Sequence, residues 1–194
     1  MIDDVHPLAD GVVLRPAALT DAQGLADAYV RNRQYLAPWE PVRSEEFFTV
    51  HGQAAQLDLE LENREAGRSV RWLLADQSGE VVGSFTLTGI VAGPFRSGNL
   101  GYWIDSALAG RGLATAAVRL ICHLADTGLS LHRIQAGTLL DNVGSQRVLI
   151  KSGVEPFGVA PRYLHIAGRW QDVRIFQRIL NDRAPGEPAS SPAA

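Results

Sequence analysis

A mixed α/β fold is what this sequence predicts, and three patterns carry the prediction. Between Gly101 and Ser152 the chain reads strand, glycine turn, helix, strand, and then a second helix opened by Asn142-x-x-Ser145. Upstream, two hydrophobic runs flank the turn Asp76-Gln-Ser-Gly79, and downstream two further extended runs meet at Ala167-Gly168. No internal repeat is present, so the pattern describes one domain rather than an array.

Taken in order, residues 1–11 read as a loose N-terminal arm, and residues 12–182 as a single domain. Val12-Val-Leu-Arg-Pro16 is the first strand, and Thr20 is the expected N-cap of a helix running toward Arg33. A second helix is expected over about residues 45–66, ending at Gly67. Arg71–Ala75 and Val81–Leu87 pair as a hairpin, because a four-residue polar turn separates two β-prone runs. Asn99–Asp105 forms a strand, and after the turn Leu108–Ala114 a helix carries Ala114, Ala117, Val118, Ile121 and Ala125 on one stripe. His132–Thr138 is the next strand, and the loop from Asp141 feeds a short helix that stops at a glycine C-cap, Gly153. Val154–Leu164 and Gln171–Leu180 complete the domain as two strands, and residues 183–194, rich in Pro, Ala and Ser, have the composition of a disordered tail.

Composition narrows the function classes. A chain of 194 residues buries roughly 70% of its unfolded surface and needs no staple. The net charge of −3 and pI near 5.9 argue against a non-specific nucleic-acid binder, which needs a basic excess. Cys122 is the only cysteine, so no intramolecular disulfide forms and a reducing compartment is expected. Its place inside an amphipathic helix suits a buried small hydrophobe rather than a reactive thiol. The five histidines lack partners at ligand spacing, which indicates no metal. Met1–Pro7 has no basic or apolar leader, and no window approaches 18 consecutive apolar residues, so no membrane association and a cytoplasmic location are expected.

The turn Leu108–Ala114, before the third predicted helix, is the first candidate site. Small residues at Gly110, Gly112 and Ala114 let backbone N–H groups approach phosphate oxygens, and the helix N-terminus adds partial positive charge. Arg111 offers a charged donor. Alone the turn is a weak signal, because strand-to-helix turns favour glycine for steric reasons in any fold. A Rossmann turn would need a small residue at Thr115, and a P-loop would need Gly-Lys-Ser/Thr; neither is met.

Ala109-Gly-Arg-Gly112-Leu-Ala114, Tyr35-Leu-Ala-Pro-Trp-Glu-Pro41, Gly101-Tyr-Trp-Ile104, Asn142-x-x-Ser145 and Trp170-x-Asp172-Val173 occur in an order and spacing that resembles the GNAT superfamily of N-acetyltransferases. Within it the chain is most similar to the RimJ/RimL type, which acetylates ribosomal-protein N-termini. The family signature has Gln or Arg where this chain has Ala109, a departure of small consequence if backbone amides do most of the binding. The resemblance implies a mostly antiparallel central sheet flanked by about four helices. Its strands four and five, here Asn99–Asp105 and Arg133–Leu139, splay apart and leave backbone groups free to bind the pantetheine arm of coenzyme A.

It further implies acetyl-CoA as cofactor, held by Trp103, Ile104, Ala109, Gly110, Arg111, Gly112, Leu113, Ala114, Thr115, Asn142 and Ser145. The reaction implied is direct attack of an amine on the thioester. A backbone N–H near Tyr102 to Ile104 would stabilise the oxyanion, and Ser145 would donate to the departing thiolate. Trp39, Glu40, Tyr102 and Arg162 are the expected acceptor contacts, with Arg162 standing where some relatives carry glutamate and Glu40 left as the candidate base. At pH 7 an α-amine of pKa near 7.8 is about one-seventh neutral, and a lysine amine only about 0.04% neutral, so an α-amine makes the smaller demand on that base. Trp72 is expected in the core, while Trp103 and Trp170 suit either core or cleft wall. The acceptor is a protein or peptide N-terminus on this reading; a small amine, a larger acyl group, or a catalytically degenerate acyl-CoA sensor are the alternatives. A homodimer is compatible with the resemblance, and no direct nucleic-acid contact is implied.

Overall fold

The computed structural model describes residues 1–187 and contains one eight-stranded sheet with four α-helices. The strands are β1 (His6–Pro7), β2 (Val13–Pro16), β3 (Val70–Ala75), β4 (Val81–Val91), β5 (Ser97–Ile104), β6 (Arg133–Leu139), β7 (Glu155–Ile166) and β8 (Arg169–Ile179). The helices are α1 (Ala22–Leu36), α2 (Val50–Glu65), α3 (Leu113–Thr127) and α4 (Val143–Lys151). Across the sheet the order is β1-β2-β3-β4-β5-β6-β8-β7, and only β5 and β6 run parallel. None of these helices is long and apolar enough to cross a membrane.

Alternation along the strands builds a core on each face. On β3 every residue is buried, with Trp72 and Leu74 turned to one side and Leu73 to the other. The first side joins Leu87, Leu100, Ile134 and Phe176 to the apolar stripe of α3, including Ala117, Val118 and Ile121, and to Leu149 of α4. The second side joins Leu73, Val81 and Trp103 to Leu25, Ala28 and Tyr29 of α1 and to Leu57 of α2. Trp72 is a core residue as expected. Cys122 is buried in the first core, where burial pushes its thiol pKa up and keeps it unreactive.

Three local expectations are corrected. The N-terminal arm is docked rather than loose: β1 extends the sheet through His6↔Leu14 and Pro7↔Val13, and Asp3 pairs with Arg64. Its cause lies in the core, since the buried Trp72 indole donates its N–H to the Ile2 carbonyl at 3.1 Å and β2 would otherwise present a bare edge. Thr20 does not cap α1. Asp21 draws in Arg15 at 2.6 Å and the Ala18 N–H at 2.8 Å, which tightens Leu19–Asp21 into a 3₁₀ turn and delays the helix to Ala22. The helix expected over 45–66 is divided, with a 3₁₀ turn at Glu45–Phe48 and α2 starting where Thr49 Oγ1 accepts the Gly52 N–H at 3.0 Å. The tail expected over 183–194 lies outside the described residues from 188 onward; before that, Arg183 still pairs with Asp126 at 2.5 Å.

The parallel contact between β5 and β6 covers only Ser97↔Arg133, Gly98↔Ile134 and Asn99↔Gln135. Beyond it each strand stays paired on its outer side, β5 with β4 to Gly83↔Ile104 and β6 with β8 to Leu139↔Val173. A V-shaped gap therefore opens toward the C-terminal ends of the two strands. α1 fixes the far end of β5: the buried Asp105 carboxylate accepts from Arg31 Nε at 2.7 Å, Asn32 Nδ2 at 2.9 Å and the Ala107 N–H at 2.9 Å. Asn32 Oδ1 in turn accepts the Ser106 N–H at 3.0 Å.

Burial pushes the Asp105 pKa up, but the hydrogen bonds from Asn32, Ala107 and Arg31 outweigh it and the net direction is down. Asp105→Ala should cost about 2–3 kcal/mol, because it removes the shared acceptor of Arg31 Nε, the Ala107 N–H and one of the two Asn32 amide protons, the other staying on the Ala28 carbonyl. A lowered carboxylate pKa stabilises the fold above the unfolded value of about 3.9 and ceases to do so as pH falls through the folded value. Denaturant titrations of wild type and variant should thus differ by a constant amount above about pH 5 and converge in acid.

Candidate active site

Two glycines shape the turn that leads from β5 into α3. Gly110 and Gly112 hold φ at +82° and +83°, where a side chain would strain the backbone, and a Cβ at either would meet no protein atom within 4 Å. Crowding is not what requires glycine here. The left-handed conformation turns the backbone amides of the loop toward one side, and α3 begins with Gly112 as an N-cap that offers no side-chain oxygen. Its first-turn N–H groups are left for an outside acceptor.

A cavity of about 310 Å³ opens over this turn, between the end of β5 at Tyr102–Ile104 and the start of α4. Of the residues expected to hold a cofactor, Trp103, Ile104, Ala109, Gly110, Gly112, Leu113, Ala114, Thr115, Asn142 and Ser145 all line it. Arg111 does not. Its guanidinium is turned to Asp10, with Nη2 at 2.8 Å from Oδ2, because the docked arm brings that carboxylate over the turn. Positive charge comes instead from Arg147 and Lys151, one turn apart on α4 and both lining the cavity. Sequence reasoning missed this pair. The helical stripe Asn142, Ser145, Val148, Lys151 was the signal that could have found Lys151, with Arg147 beside it.

A second cavity of about 340 Å³ lies on the other side of Tyr102 and Ser145 and shares Trp39, Tyr102, Trp103, Asn142 and Ser145 with the first. Glu40, Arg43, Thr138, Leu164 and Ile166 also line it. Its rear wall is tied together: Arg71 grips Glu60 at 2.9 Å and donates to Ser84 Oγ at 2.9 Å, and the Tyr29 hydroxyl accepts the Trp103 indole N–H at 3.0 Å. Thr138 Oγ1 is buried with no hydrogen-bond partner among the described residues, and Thr138 lines the cavity at the gap.

Arg162, expected among the acceptor contacts, lines neither cavity. Between Ala160 and Leu164 the β7–β8 register shifts, and Arg162 sits exposed in that bulge at φ +49° with its N–H donated to Asp172 Oδ1 at 2.9 Å. Trp170 is neither core nor cleft wall; it is 63% exposed and packs edge-on to His165. Trp103 belongs to the shared wall at 9% exposure.

Tyr102 and Ser145 meet where the cavities join. Asn142 caps α4, its Oδ1 accepting the Ser145 N–H at 3.0 Å, and this fixes the serine at the mouth of the gap. The Tyr102 hydroxyl stands 2.8 Å from Ser145 Oγ. Glu40 is half-buried, with Arg43 Nε at 3.6 Å, and its carbonyl accepts the Ala167 N–H at 3.0 Å, which moors the loop to the β7–β8 turn. Burial raises the Glu40 pKa; Arg43 and, more weakly, Arg71 pull it back without cancelling the rise.

This arrangement has relatives. The acetyltransferase (GNAT) domain family matches residues 12–155. Over 186 residues the chain is 32% identical to the ribosomal protein uS5-alanine N-acetyltransferase of Escherichia coli strain K12, covering 95% of this chain and 96% of that one. Among solved structures, the ribosomal-protein-S5-alanine acetyltransferase from Vibrio fischeri superposes with a TM-score of 0.88 at 31% identity, covering 93% of this chain and 98% of that one. Mycobacterium smegmatis RimJ, solved in complex with CoA-disulfide, gives 0.86 at 29% identity, covering 91% of this chain and 88% of that one.

A raised carboxyl pKa means that folding disfavours the charged form of Glu40. Below the unfolded value the two states are protonated alike and nothing is lost; above the folded value the penalty is complete. Glu40→Gln should therefore leave the thermal midpoint unchanged or raise it at pH 7, and the difference should vanish below about pH 4. A variant less stable than wild type at pH 7 would show that the Arg43 pairing dominates.

Proposed function

We propose that this chain, which belongs to the GNAT family of acetyltransferases, transfers the acetyl group of acetyl-CoA to the α-amine of a protein or peptide N-terminus. The observation that carries the reading is the convergence, on one continuous cleft, of an uncapped helix N-terminus, a strand gap and a half-buried carboxylate. The residues fit the cofactor. Gly110 and Gly112 leave an open cradle for a pyrophosphate, Arg147 and Lys151 supply cations beside it, and the β5 edge at Tyr102–Ile104, unpaired beyond Asn99↔Gln135, offers backbone groups to an amide-rich arm.

When bound, acetyl-CoA supplies an acetyl group activated as a thioester. The chain supplies the rest. Backbone N–H groups of Tyr102 to Ile104 serve as donors to the carbonyl oxygen as negative charge develops on it. Ser145 Oγ, at the junction of the cavities, is the donor to the departing sulfur. Glu40 attracts the acceptor's ammonium form and takes its proton before attack, and its raised pKa makes it a better base than an exposed carboxylate.

Two considerations favour an α-amine over a lysine side chain. A lone, half-buried carboxylate is a modest base, adequate for a group already about one-seventh neutral at pH 7 and poorly suited to one about 0.04% neutral. The E. coli and V. fischeri relatives are themselves named for acetylating the alanine of a ribosomal protein.

Free-thiol release from acetyl-CoA should be measured with a peptide bearing a free α-amine, the same peptide N-terminally blocked but with a free lysine, and a small diamine. Turnover with the first at least about 10-fold faster than with the others is expected. Preference for the diamine would redirect the reading to small amines, and binding of acetyl-CoA without thiol release in any arm would make the chain a sensor.

A further inference from the structure

We propose that Tyr102 is a positioning residue for this acyl transfer, holding the Ser145 hydroxyl so that the serine's own proton is directed into the cleft at the leaving sulfur. The inference rests on the acetyltransferase reading above and assigns a role within it.

The Tyr102 oxygen lies 2.8 Å from Ser145 Oγ and 3.2 Å from the Ser145 carbonyl oxygen. Each hydroxyl has a single proton to give. If Tyr102 donates to the carbonyl, the serine can spend its proton on the phenol oxygen, and none is left for the cleft. If Tyr102 donates to Oγ, the serine proton is released toward the cavity. Negative charge building on sulfur selects the second arrangement, because a hydroxyl that accepts one hydrogen bond becomes a better donor of the next.

Both groups are anchored, so only the protons need to move. The Tyr102 ring stacks on Phe85 at 5.2 Å between centroids and 9° between planes, and Ser145 is held by the Asn142 cap. Both line both cavities. Burial pushes the Tyr102 phenol up to about 12, so it stays protonated and available as a donor across the neutral range.

The step balances without ionising either hydroxyl. The acceptor nitrogen, made neutral by losing its first proton to Glu40, forms the N–C bond and releases a second proton to water. The C–S bond breaks with its electron pair on sulfur, Ser145 hydrogen-bonds that pair, and the sulfur finally takes from solvent a proton equivalent to the one the amine released.

Tyr102→Phe keeps the ring on Phe85 and removes only the phenol oxygen. In the active enzyme it should leave the thermal midpoint unchanged and the Kd for acetyl-CoA within about two-fold, while kcat falls about 10-fold. Ser145→Ala should lower kcat about 100-fold, and the double variant should be no slower than Ser145→Ala alone, since Tyr102 acts only through the serine. Unchanged kcat in Tyr102→Phe, a double variant slowed by the product of the two effects, or a weakened Kd would each overturn the proposal while leaving acyl transfer standing. Absence of thiol release by the wild type with every acceptor would overturn the acyl-transfer reading, and this role with it.

Discussion

The parallel pairing of β5 with β6 stops at Asn99↔Gln135, and the site is arranged around that stop. Continuing the ladder would close the sheet and leave no cleft. The outer neighbours β4 and β8 hold each strand straight past the stop, so the gap is a defined wedge rather than a frayed edge. Unpaired backbone groups are costly only where they are buried away from any partner, and here those of β5 and β6 border the two cavities, which water or a ligand can enter. From the wedge the rest of the site follows: α3 begins at one lip, α4 at the other, and Tyr102 reaches from β5 to Ser145 between them.

Charge is distributed to match. The carboxylates that could oppose an anionic ligand are engaged elsewhere, Asp105 with Arg31 and Asn32, and Asp10 with Arg111, while Arg147 and Lys151 remain on the cavity wall. On the opposite side Glu60 is neutralised by Arg71, which leaves Glu40 as the carboxylate with the weaker ion pair, 3.6 Å against 2.9 Å. One side of the Tyr102–Ser145 boundary thus suits phosphate and the other suits an amine.

Local chemistry was legible in the sequence wherever its cause was local. The glycine turn showed in Gly110 and Gly112, the α4 start in Asn142-x-x-Ser145, the α3 face in its apolar stripe, and the last hairpin in Ala167-Gly168, which adopts φ +49° and +79°. The misreadings have distant causes. Arg111 was lost to Asp10, 101 residues away, because the arm docks, and the arm docks because Trp72, 70 residues from Ile2, needs an acceptor. Arg162 is the exception: a β-bulge moved it out of the cleft, and Pro161 beside it, unable to donate to the ladder, was a local sign of the register shift. Thr20 lost its cap role to an Asp21 captured by Arg15, a pairing set by the fold rather than by propensity.

The most direct measurement of the central claim is the change in backbone amide NMR shifts as acetyl-CoA is added to the full-length protein. Perturbations should be largest at residues 102–104, 110–115 and 142–145, the rims of the wedge and the two helix starts that face it. Shifts confined to the surface around Asp10 and Arg111, or none at all, would contradict the account.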